Sequence, residues 1–136
     1  MKRKIIVFAL VILTLIILQN DIYAQKSKLL SAKVEYEYFL TESLERVNCN
    51  SFYSSFDKSK KVEIFKDNKK LIEISFLMKK FIKKDENLDV RGILTLYYKK
   101  HKLKYCFDRY GNFEKDGIVY HNKYLLKFLE KNIKLW

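Results

Sequence analysis

The chain has 136 residues with 28 basic and 16 acidic side chains, a net charge of +12, no proline, three glycines and two cysteines. That length excludes two comfortable hydrophobic cores, and the scarcity of glycine and proline excludes long linkers, collagen-like tracts and low-complexity segments. The positive charge is nearly all lysine, a hydrated point charge rather than the planar fork that reads a guanine edge, which argues against sequence-specific nucleic-acid binding.

Residues 1–24 have the three-part layout of a secretory signal peptide. Lys2, Arg3 and Lys4 form a positive head, Ile5 to Leu18 an apolar run of 14 residues, and Ala24 a small residue at the cleavage position before Gln25. The apolar run is shorter than the roughly 20 residues that span a bilayer stably as a helix. Retention as an anchor is the alternative, and the only membrane contact the sequence suggests. Cleavage after Ala24 leaves residues 25–136, one secreted or periplasmic domain of 112 residues with 25 basic and 15 acidic side chains. Outside the leader the arginines are Arg46, Arg91 and Arg109 alone.

The first predicted strand begins at Lys33, with Val34, Tyr36, Tyr38 and Leu40 on one face and Lys33, Glu35 and Glu37 on the other. A short helix is expected around Asn50–Phe56. Asp67 or Asn68 then caps a longer helix to about Lys84, whose Leu71, Ile74, Leu77, Met78, Phe81 and Ile82 share one side of a 3.6-residue wheel. A hairpin of residues 62–66 with 71–76 around Asp67-Asn68 is the rival arrangement. From Leu88 the alternation returns: Val90, Leu94, Leu96 and Tyr98 face one way, Asp89, Arg91 and Thr95 the other. A short connection at residues 99–102 leads to a strand carrying Leu103, Tyr105 and Phe107. Gly111 turns the chain. Asp116-Gly117 supplies the positive φ angles of a hairpin turn before a strand at Ile118–Tyr120. A last helix spans about Asn122 to Asn132 and buries Leu125, Phe128, Leu129 and Ile133. The expected fold is therefore α+β: an antiparallel sheet, a meander in its C-terminal half, with two main helices packed on one face.

Cys49 and Cys106 both lie beyond the leader, and an even pair in an exported chain is expected to form a disulfide. A bridged sulfur leaves no thiolate for a Cys–His nucleophile with His101 or His121. The cysteines stand 57 positions apart and the histidines 20, so the close ligand pairs of a zinc site are missing. Two loops mimic part of a calcium-binding loop, Asp85-Asn87-Asp89 and Asn112-Glu114-Asp116-Gly117. Leu96 and Lys123 stand where each needs its final bidentate carboxylate, so both read as turns. No metal, cofactor or catalytic residue is singled out.

Two features suggest binding. Lys79, Lys80, Lys83 and Lys84 crowd the end of the predicted helix, and Lys99, Lys100, Lys102 and Lys104 crowd a hairpin; as neighbours they would form a cationic rim for an anionic partner. Asp89 and Arg91 share a polar strand face and form a second candidate site. The expected function is a non-enzymatic module for a partner protein or an anionic envelope polymer. The alternative is a small hydrolase or enzyme inhibitor whose site is assembled only by folding.

Overall fold

The structure, a computed structural model, describes residues 28–136; the signal-peptide reading of residues 1–24 lies outside the described residues. Seven strands form one antiparallel sheet: β1 (Leu29–Tyr36), β2 (Lys61–Phe65), β3 (Ile82–Lys84), β4 (Gly92–Tyr98), β5 (Lys102–Phe107), β6 (Asn112–Lys115) and β7 (Ile118–His121). Their order across the sheet is β2-β1-β4-β5-β6-β7-β3. Strands β4 to β7 are the expected meander. Asp116 at φ 52° and Gly117 at φ 77° make the β6–β7 turn, as their sequence requires. Gly92 pairs with Phe107, whose ring occupies the space a side chain would take: a Cβ there would lie 2.2 Å from the ring.

Two longer helices, α2 (Asn68–Leu77) and α3 (Lys123–Asn132), cover one face of the sheet. Each begins at a side-chain cap: Asp67 accepts from the Lys70 amide at 3.0 Å and Asn122 from the Leu125 amide at 2.9 Å. Leu71, Ile74 and Leu77 from α2 and Leu125, Phe128 and Leu129 from α3 meet Val34, Leu94, Leu96, Phe107 and Phe113 from the strands in the larger core.

Helix α2 is shorter than its apolar periodicity predicts. It ends at Leu77, passes through a 3₁₀ turn at Met78–Lys80, and becomes extended at Phe81. The cause lies elsewhere in the chain. Asn122, buried at the start of α3, donates through Nδ2 to the Leu77 carbonyl at 2.8 Å and satisfies an end that helical residues would otherwise close. The Phe81 ring packs among Tyr105, Phe113 and Tyr120, with centroids 5.3 to 5.5 Å apart. Residues 82–84 then pair with β7 as an edge strand, leaving Ile82 exposed. The rival hairpin does not form, because β2 pairs with β1 instead.

The opposite face of the sheet departs most from expectation. Asp89 and Arg91 are expected on a solvated face, yet that face is covered by the segment that follows the first strand, from Ser43 through the single helical turn α1 (Phe52–Ser55) to Phe56. Val47, Phe52 and Phe56 from this segment pack on Leu88, Val90, Ile93 and Cys106 as a second, smaller core. Val90 therefore lies with Ile93, not with Leu94 and Leu96 as strict alternation predicts. The first strand ends at Tyr36, so Tyr38 and Leu40 are exposed while Phe39 is buried. The Cys49–Cys106 disulfide is formed, with Cα atoms 5.7 Å apart, and ties the covering segment to β5.

Candidate functional site

The covering segment is organised by Asp89. Its Oδ1 accepts from the Val47 amide at 3.0 Å, and the Val90 amide donates to the Val47 carbonyl at 2.8 Å. The two segments are thereby bound together at one point. The same carboxylate grips Arg91 with both oxygens, at 2.9 Å to Nη1 and 2.7 Å to Nη2, the bidentate geometry that makes such pairs strong. Arg91 also donates to the Val90 carbonyl and to Ser43 Oγ, and its guanidinium lies 5.5 Å from the centroid of Phe56. It is 3 % exposed, and its Nε has no hydrogen-bond partner among the described residues. The pair singled out in the sequence is thus a fastening of a buried guanidinium by a half-buried carboxylate, and the guanidinium also faces a cleft.

That cleft, of about 570 Å³, is lined by residues 40–46 with Asp89, Arg91 and Arg109. All three arginines of the described residues, Arg46, Arg91 and Arg109, meet there. Arg46 is exposed. Arg109 is half-buried, donates weakly to the Phe39 carbonyl at 3.5 Å and stacks on Tyr110. Glu42 and Glu45 join Asp89 in the lining, so the cleft carries as many carboxylates as guanidiniums. Leu40 and Leu44 are exposed at its rim. Leu40 and Thr41 also line an adjoining apolar hollow of about 350 Å³ with Tyr38 and Trp136. The Trp136 ring stands edge-on to the buried Phe39 at 5.2 Å, and its Nε1 donates to Glu130 at 3.0 Å.

A second polar cluster lies farther along the same face. Tyr53, on α1, donates its hydroxyl to Glu35 at 2.9 Å, and Lys33 pairs with the same Glu35 oxygen at 2.9 Å. Burial pushes the Glu35 carboxyl up, but the hydrogen bonds from Lys33 and Tyr53 outweigh it and hold it below the usual carboxylate value. Tyr53 is pushed up to about 12, by burial first and then by its bond to Glu35 and that carboxylate's charge. Because the folded value lies above the unfolded one near 10, the neutral phenol stabilises the fold fully below pH 10, and that contribution is lost between pH 10 and 12. In Glu35→Gln the negative charge is gone, and ultraviolet difference titration is expected to show one tyrosine ionising nearer pH 10 than in the parent protein.

The two lysine groups are carried by several different elements. Lys83 and Lys84 lie on β3 at the sheet edge, separated from β5 by β7 and β6, about 14 Å in strand spacings. Lys79 and Lys80 stay in the helix layer, where Lys80 sits 4.5 Å from the Tyr124 centroid. Lys99 and Lys100 lie in the β4–β5 turn, whereas the Lys104 ammonium lies 5.4 Å from the Tyr53 ring centroid. The turn-like loops are occupied by other work: Asp89 holds Arg91, Asp116 makes the hairpin turn, and Asn112 hydrogen-bonds the buried Asp108. The arginine cleft itself was missed from sequence, since residues 46, 91 and 109 are distant in the chain. The one available signal was the rarity of arginine in a lysine-rich protein.

No protein-family model matches this chain, and no curated protein or solved structure is significantly similar to it.

Proposed function

We propose that the protein is an exported, non-enzymatic binding module that docks a partner protein at the arginine cleft. The observation that carries this reading is the meeting of Arg46, Arg91 and Arg109 in one cleft whose rim exposes Leu40 and Leu44 and continues to Trp136. Arginine, tryptophan and tyrosine are the residues that dominate binding energy at protein interfaces, and they act from well-packed surroundings. Arg91 is already locked by Asp89, and Trp136 is propped by Phe39 and Glu130, so little side-chain freedom is lost on binding. The equal numbers of carboxylates and guanidiniums favour a mixed-charge protein surface over a uniform polyanion such as an envelope polymer.

The disulfide is consistent with an oxidising compartment, which supports export; cleavage of the leader after Ala24 belongs to the same proposal. The test is photocrosslinking in the native host from a reactive residue placed at position 44, beside the cleft, or at position 100, on the β4–β5 turn. A discrete adduct from position 44 and none from position 100 is expected. Adducts from position 100 alone would move the binding surface to the lysine hairpin and defeat the reading.

A further inference from the structure

On independent grounds, we infer that the outer face of α2 and the start of α3 rest on an anionic lipid surface. Ile72 and Phe76 sit one helical turn apart on the exposed side of α2, 70 % and 58 % exposed. Tyr124 of α3 is exposed beside them, and Lys80 bridges the two helices, its ammonium 4.9 Å from the Phe76 centroid and 4.5 Å from that of Tyr124. The groove along this face, about 590 Å³, is lined by four apolar side chains, the polar Asn68 and Ser75, and Lys28 and Lys79, and no carboxylate lines it. Glu73 is the single acidic residue of α2. Apolar side chains set among lysines, whose stems lie along apolar surface while the charged heads reach outward, are the composition of an interfacial helix.

The occupant follows from charge and from chain entry. Lysines contribute about fivefold each to partition onto an anionic leaflet, and here Lys79 and Lys80 border the exposed apolar groups of the face. The chain enters the fold through this same groove at Lys28, with the apolar run Ile5–Leu18 ten residues upstream. Contact is peripheral: among the described residues no helix is long and apolar enough to cross a membrane.

The experiment uses the full chain with Trp136→Phe, so that one introduced tryptophan reports depth. Phe76→Trp is expected to shift its emission to the blue and to be quenched by vesicles of brominated phosphatidylcholine containing a third phosphatidylglycerol. Tyr53→Trp, on the other side of the sheet, is expected to stay unquenched. Lys79→Glu with Lys80→Glu should weaken partition at least tenfold. Ile72→Asp, at an exposed position where folding is not at stake, should release the Phe76→Trp probe as well. A tryptophan at 76 that vesicles leave unquenched, or that pure phosphatidylcholine quenches equally well, overturns the inference. An upstream run that inserted alone would tether the chain without quenching position 76.

Discussion

Replacing Cys49 and Cys106 together by alanine is expected to lower unfolding free energy by about 4 kcal/mol, the chain-entropy value for a closed loop of this length. For a domain of about a hundred residues that corresponds to a fall of roughly 15 °C in Tm. The bridge closes a separation of 57 residues that includes α1, the rest of the covering segment from Cys49 onward, and β2. Its effect should also be uneven. Twenty buried residues form the core between helices and sheet, whereas the core on the other face has seven, three of them from the covering segment, so that segment is the part least able to stay in place alone. Hydrogen exchange of the variant should therefore show the amides of Val47 and Val90 opening before those of β4 and β5. A stability loss below about 1 kcal/mol, with Val47 still protected, would show that packing alone holds the layer.

Asp89→Ala is the second large expectation, about 3 kcal/mol of destabilisation in a denaturant titration. The aspartate's own side chain is 28 % exposed, but its removal strands a guanidinium that is 3 % exposed and takes an acceptor from the Val47 amide. An unpaired buried charge costs more than the pair was worth. The double change Asp89→Ala with Arg91→Met should accordingly be less harmful than Asp89→Ala alone. A single variant within about 0.5 kcal/mol of the parent would mean that the guanidinium finds other solvation, and the cleft floor would not be the rigid element described here.

The local elements were legible where local forces decide them. Alternation marked β1, β4 and β5, Asp116-Gly117 marked its hairpin, and Asn122 marked the start of α3, because turn dihedrals and caps depend on near neighbours. A lone cysteine pair left one intramolecular partner for each sulfur. Helix α2 was overextended because Phe81 and Ile82 continue a helical spacing, while Tyr105, Phe113 and Tyr120, which capture Phe81, come from strands 24 or more residues away. The second layer was illegible for a related reason. Residues 37–60 have no sustained period, so nothing local announces that Val47, Phe52 and Phe56 will bury a sheet face. With that face taken as solvated, Asp89 and Arg91 looked like surface charges, and the convergence of three widely spaced arginines had no sequence signature.

The most direct measurement of the account is the yield of the adduct formed from position 44 when the cleft's free guanidiniums are reversed. Arg46 and Arg109 carry no ion pair among the described residues, so Arg46→Glu with Arg109→Glu should leave the fold intact. The adduct is expected to fall more than tenfold while the melting temperature stays within a few degrees of the parent, since each desolvated arginine at an interface is worth about 2 kcal/mol. An unchanged adduct in a folded double variant would contradict the assignment of the cleft as the docking site.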